Sequence, residues 1–170
     1  MPYPASIIAY AFVKKGLKEG KPVSQMKLQK MVYFAHGYYL AKYREPLIQE
    51  DFEAWQFGPV VPAIYSEYKA FGREAIQVTK EHYDAIVDSF PEEVASSIDF
   101  TWQVTKNLSA ATLSAWTHKK GSPWDKVYKP NGFSIPIDNL TIESFFKEFI
   151  GKVAQNQNTT HASPPVKPAN

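Results

Sequence analysis

The stretch from Met31 to Ala41 constrains this chain most, because only His36 and Gly37 in it are neither apolar nor aromatic. A helix written this way has no face suited to water and becomes the central helix of its domain. Ser24 is placed to cap it and Arg44-Glu45-Pro46 to break it, so the predicted helix runs from Ser24 to about Tyr43. At about 100° per residue, Gln29, Tyr33 and His36 share one stripe, with Lys30 and Gly37 beside it. This narrow polar face has two readings. Its groups hydrogen-bond to neighbouring loops, with Gly37 admitting another chain segment at close range, or they line a pocket or contact site.

The remaining elements are read around that helix. Ile7, Ile8, Ala11 and Phe12 predict a first helix over about Ala5 to Lys18, ended by Gly16 and Gly20. Leu47 to Phe57 is rich in β-formers but mixed in pattern and reads as a short strand or an irregular segment, with Gly58-Pro59 as a turn. Pro62 suits the first turn of a third helix with the stripe Ile64, Tyr65, Tyr68 and Phe71. Ile76-Gln77-Val78 reads as a second short strand and Tyr83 to Phe90 as a short helix or turn. Pro91 opens a helix carrying Val94, Ile98, Trp102 and Val104, and Glu92 and Glu93 suit its positive end. Ser109 caps a helix with Leu113 and Trp116 that closes at Gly121, and Ser122-Pro123-Trp124 starts a short turn. A last helix is expected from Thr141 to about Val153. Residues 154–170 hold three prolines, no acid and almost no large apolar side chain, and are expected to form a disordered tail or a tethered recognition peptide. The fold class that results is mainly α (α+β). It is a single globular helical domain over residues 1–153, built around a central buried helix with one or two short strands.

Absences narrow the chemistry. The 170 residues contain no cysteine, which excludes disulfides, thiolate zinc sites, iron–sulfur clusters and cysteine nucleophiles. No Walker loop, GxGxxG, HExxH, GxSxG or EF-hand loop is present, and no cofactor is expected. His36, His82, His118 and His161 lack a second histidine at ligand spacing, so no metal site is expected. His36, His118 and a carboxylate remain the one combination able to form such a site. As an enzyme the chain would use His36 or His118 as general base beside a carboxylate such as Glu53. Glu50, Asp51 and Glu53 themselves read as a solvated strand end. A formal charge of +2 gives no argument for nucleic acid. The charges are nonetheless blocked: residues 14–30 hold six lysines and one glutamate, and residues 81–105 hold six carboxylates and no Lys or Arg. Each block reads as a solvated face, or the acidic one as a dock for a basic partner. No apolar run is long enough for a membrane span, and no basic region precedes the first apolar stretch. A cytoplasmic protein is expected.

Aromatic side chains are spread unevenly along the chain. Eleven of the 25 fall between Tyr33 and Phe71, marking the core's centre or a sticky surface. The segment Glu53 to Pro62 sets Trp55 and Phe57 against a rigid turn, as a packed corner or a preorganised apolar platform. Thr117-His118-Lys119-Lys120 places basic groups at a helix's negative end.

Three segments together carry a resemblance. Lys27-Leu28-Gln29-Lys30-Met31-Val32-Tyr33-Phe34-Ala35-His36-Gly37-Tyr38-Tyr39-Leu40 resembles the KLQKLLYFAQGWYL stretch of the Panacea antitoxin domain family, also called SocA-like or GepA-like. Glu53-Ala54-Trp55, then Gly58-Pro59-Val60-Val61-Pro62 and Tyr65, resembles its EAW…GPVVPxxY signature. Leu113, Thr117-His118 and Pro123-Trp124 resemble its L…TH…PW signature. The segments follow the family's order and spacing, and the likeness runs from about Ala5 to Val153. It implies a mostly helical domain of bacteria, phages and mobile elements that neutralises a cognate protein toxin by direct contact. It also implies an alternative, in which the domain acts as an adaptor delivering the toxin to an AAA+ protease. The family supplies no catalytic residues, and without an added DNA-binding domain operator binding is not expected. The partner-binding residues expected here are aromatic anchors at Trp55, Tyr65, Tyr68 and Trp124, with Lys30, Tyr33, His36 and His118 on the polar side.

Overall fold

The computed structural model describes residues 1–132 and 134–160, apart from the side chains of 153, 154 and 156–160. Eight α-helices and one small sheet are present among these residues. In chain order they are α1 (Ala5–Lys18), α2 (Gln25–Tyr43), β1 (Phe52–Trp55), β2 (Gly58–Val60), α3 (Pro62–Tyr68), α4 (Glu81–Asp88), α5 (Glu92–Thr105), α6 (Ala110–Thr117), α7 (Pro123–Val127), β3 (Pro136–Ile137) and α8 (Asn139–Thr160). The sheet is antiparallel with β1 in the middle, β2 on one side and β3 on the other.

Helix α2 is the axis of the molecule. Ser24 Oγ accepts the Lys27 N–H at its start. Arg44 closes it in the left-handed region at φ 60°, with its N–H on Leu40 O. α1, α3, α5, α6, α8 and β2 all pack against it. Leu28, Met31, Val32, Tyr33 and Ala35 are fully buried, as a helix apolar on all sides requires. Tyr33, Phe34, Phe52 and Phe146 meet edge to face at centroid distances of 5.2 to 5.9 Å and tie α2 to β1 and α8. Gly37 makes the α8 crossing possible: a Cβ there would sit 2.3 Å from the Phe146 ring.

Several sequence expectations need correction. Gly58-Pro59 is strand β2, and the turn lies one step earlier at Gln56-Phe57. Gly58 takes φ 117°, and a Cβ on it would lie 2.7 Å from both Lys30 Cε and Thr117 Oγ1, so glycine answers a close approach as well as a backbone angle. Ile76-Gln77-Val78 is not a strand. Ala75 makes one isolated bridge to Ser24, and Ile76 is an apolar plug whose N–H reaches Val23 O. Strand β3 was not expected, because two residues leave no periodic signature. Val104 stands 45% exposed, outside the buried stripe of α5. α8 continues to Thr160 where an end near Val153 was expected, so the first part of the expected tail is helical, and residues 161–170 lie outside the described residues.

The two charge blocks meet each other. Lys14 pairs with Asp84 and Asp88 at 3.0 and 2.8 Å, and Lys15 pairs with Asp99, joining α1 to α4 and α5. Lys21 bonds Asn107, Lys27 donates to Lys106 O at 2.7 Å, and Lys30 is buried. Five of the six lysines in residues 14–30 thus serve their own fold. Such half-exposed ion pairs add little energy each and serve mainly to set how the helices lie.

The tight α2–α8 crossing gives a direct test. Gly37→Ala should lower the unfolding free energy by about 1 to 3 kcal/mol through overpacking. Adding Phe146→Leu should recover part of that loss, because the smaller side chain vacates the space. Urea unfolding of the two variants against the parent checks both.

Candidate functional site

The three sequence segments that resemble one family converge on the β1–β2 hairpin. Its backbone carbonyls are held by side chains from distant parts of the chain. Trp124 Nε1 donates to Trp55 O at 2.6 Å, and His118 Nε2 to Gln56 O at 3.1 Å. Ser114 Oγ donates to Phe57 O at 2.8 Å, and Lys30 Nζ to Pro59 O at 3.3 Å. Gln29 completes the clamp on both polar groups of Val61: its Nε2 donates to Val61 O at 3.1 Å, and its Oε1 accepts the Val61 N–H at 2.9 Å. A short two-stranded ribbon is barely stable alone. Here α2, α6 and α7 fix it with side-chain donors at successive positions.

Rigid seating of the backbone leaves aromatic surface outside. Phe57 at the turn is 57% exposed and Tyr65 on α3 is 40% exposed. Trp55 packs edge to face on Tyr65 at 5.0 Å and gives its indole N–H to Glu53 at 2.8 Å. Trp124 lies behind, its ring 3.9 Å from that of His118 and stacked on Tyr128 at 4.4 Å. Between the turn, α2 and α3 is a pocket of about 340 Å³ whose lining includes Lys30, Met26, Trp55, Phe57, Val60 and Tyr65. Lys30 is 1% exposed, and among the described residues no carboxylate pairs with it. Burial alone lowers its pKa to about 8.

Of the eight residues expected from sequence, the structure gathers Lys30, Trp55, Tyr65, His118 and Trp124 around this hairpin. It places Tyr33, His36 and Tyr68 in the core and outside the lining of the pocket beside this hairpin. Tyr33 joins the α2–β1–α8 aromatic cluster, and burial pushes its phenol well up. Tyr68 has a buried hydroxyl with no partner among the described residues, and burial raises its pKa to about 12. His36 works as a loop holder: Nε2 donates to Asn139 Oδ1 at 2.8 Å, and Nδ1 accepts the Ile48 N–H at 3.4 Å. Both readings of the polar stripe on α2 therefore apply, at different places. Gln29 and His36 bond loops, whereas Lys30 both bonds a loop and lines a pocket. The general-base pairing with Glu53 does not form around His36, whose two ring nitrogens are committed elsewhere. Among the described residues no group of three His, Asp or Glu is placed to hold a metal ion, and no helix is long and apolar enough to cross a membrane.

Sequence reasoning missed Phe57 as the most exposed aromatic of the hairpin and Ser114 as a clamp. Phe57 sits in a turn, where no period separates inside from outside, and Ser114 is one serine within an apolar helix. A second apolar surface was also missed. Phe100, Val104 and Phe149 are exposed beside Trp116 and Phe146, between α5, α6 and α8.

Comparison with known proteins adds to this geometry. Residues 28–125 match the family described as antitoxin SocA-like, Panacea domain. Antitoxin SocA of Caulobacter vibrioides is 32% identical over 151 residues, which cover 85% of this chain and 80% of that protein. No solved structure gives a significant match. Apart from Lys27, the matched span contains all three segments that meet at the hairpin.

The buried histidine predicts a pH effect. Desolvation holds its pKa near 4, against 6.5 for the free side chain, with the Asn139 bond and Asp51 opposing the drop. The unfolded chain therefore takes up a proton below pH 6.5 that the folded chain refuses until about pH 4. Stability should fall over that window by about 3 kcal/mol from this group. His36→Gln retains an N–H for Asn139 and removes the titration. Its unfolding free energy, measured from pH 7 to pH 4, should lack that part of the parent's decline.

Proposed function

Because the chain belongs to the family of SocA-like antitoxins with a Panacea domain, we propose that it is the antitoxin of a toxin–antitoxin pair and neutralises its toxin by direct binding. The observation that carries this reading is the identity with an antitoxin over most of both chains. The geometry supports it through the hairpin. Partner recognition favours aromatic side chains held rigidly, because little entropy is lost when they are covered. Phe57 and Tyr65 stand on such a clamped base, with Trp55 packed against Tyr65. An interface of ordinary size, about 1,600 Å² in total, would spread from this hairpin across its neighbours. Neutralisation then needs only that the bound antitoxin cover the toxin's working surface or hold it in an inactive shape.

The test uses the product of the adjacent reading frame. Expressed alone it should arrest growth, and co-expression of this chain should restore growth. In a purified two-component mixture the toxin's activity should fall in proportion to complex formed. Toxin that disappears only when a cellular AAA+ protease is present would favour the adaptor reading instead. Phe57→Ala should weaken binding by about tenfold or more while leaving the melting temperature within about 2 °C, since its side chain is largely outside the core. Calorimetric titration and a melting curve check the pair of effects.

A further inference from the structure

A lysine in the core is costly, and among the described residues Lys30 has a single backbone acceptor and no carboxylate to compensate it. Its ammonium carries three N–H donors, and the bond it makes goes to Pro59 O at a long 3.3 Å. No carboxylate among the described residues approaches it, although the chain holds seventeen. Proteins keep such a charge buried when something answers it. The neighbouring Gln25 has a buried amide oxygen without a partner among the described residues, and Gln25 lines the same pocket. A half-turn of that amide would offer an N–H where the oxygen now stands. The mouth is aromatic, with Phe57 and Tyr65 exposed on its rim. Among the described residues, a lysine without a carboxylate partner therefore lies in the wall of a pocket of about 340 Å³ beside the hairpin.

We propose that this pocket receives an aspartate or glutamate side chain of the bound toxin, its carboxylate on Lys30 and an apolar neighbour spread over Phe57 and Tyr65. The inference rests on the reading of the chain as an antitoxin that works by direct contact. Charge complementarity selects the acidic group. The rim selects its source, because a docked protein surface that covers the exposed rings on both sides can send a side chain inward without its own chain having to end there. Docking would bury Lys30 further, yet supply the counter-charge that the fold omits. The arrangement trades stability of the free antitoxin for discrimination, since a partner without the acid would leave the ammonium sealed in and unpaired.

Lys30→Met keeps the length of the side chain and removes the charge. The variant should melt within about 5 °C of the parent, because relief from burying the ammonium offsets the lost bond to Pro59 O. It should bind the purified toxin about thirtyfold more weakly or worse, because the toxin's carboxylate is then buried alone. Replacement of each toxin Asp and Glu by Asn or Gln should find one position with a similar loss. Combining that replacement with Lys30→Met should cost much less than the sum of the two. Lys30→Met binding within twofold of the parent overturns the inference and leaves the antitoxin reading standing. Failure of the parent itself to bind the toxin overturns both. If Lys30→Met does not fold, the toxin-side scan decides: a loss of tenfold or more at one acidic side chain supports the inference, and no loss above threefold overturns it. A loss that follows amidation of the toxin's C-terminus, in place of any side chain, overturns the assigned source.

Discussion

A helix with protein on every side cannot leave its polar side chains unanswered, and that requirement organises this molecule. α2 has no solvent face, so Gln29, Lys30 and His36 must find partners in whatever packs over them. They find backbone. Gln29 takes both polar groups of Val61, Lys30 takes Pro59 O, and His36 bridges Ile48 N and Asn139. The segments after α2 and before α8 are irregular, and without these bonds several of their buried peptide groups would have no partner. The same side chains that are expensive to bury therefore determine where the loops lie. Small residues set the distances: Gly37 admits the Phe146 ring, and Gly58 admits the Lys30 stem beside Thr117.

The hairpin face inherits its stiffness from this arrangement. α6 and α7 approach the hairpin from one side with Ser114, His118 and Trp124, and α2 supports it from the other with Gln29 and Lys30. An antitoxin gains affinity when its contact surface is already in the bound shape, because ordering cost is then small. The three motifs that mark the family are, in physical terms, mainly a device for holding one turn. What the turn displays is Phe57, which the device holds and does not specify, whereas Tyr65 beside it on α3 belongs to the second motif. This separation suggests how one scaffold can present different surfaces from a common base.

Much of the architecture was legible in the sequence, for reasons that can be stated residue by residue. α1 and α2 were readable to their ends because dense apolar runs are bounded by proline, a serine cap and a helix breaker. The centrality of α2 followed from the lack of any polar face. β3 was not readable, since its pairing with Phe52 and Glu53 is a tertiary fact that two residues do not encode. The hairpin turn was displaced by one step because Gly58 looks like a turn residue, whereas its glycine is demanded by Lys30 and Thr117 from elsewhere in the chain. Tyr65 and Tyr68 lie on one helix with equal claims as anchors, and only packing sends Tyr68 inward and Tyr65 outward. The mutual engagement of the lysine and carboxylate blocks was likewise invisible until α1 was seen lying against α4 and α5.

The central claim is that the hairpin face meets the toxin. Amide hydrogen exchange, followed by mass spectrometry on the chain alone and in complex with its toxin, tests this most directly. The account predicts slowed exchange across residues 53–66 in the complex, with peptides from α4 unchanged. Slowing confined to the Phe100, Val104 and Phe149 surface, with residues 53–66 exchanging as in the free chain, would contradict it.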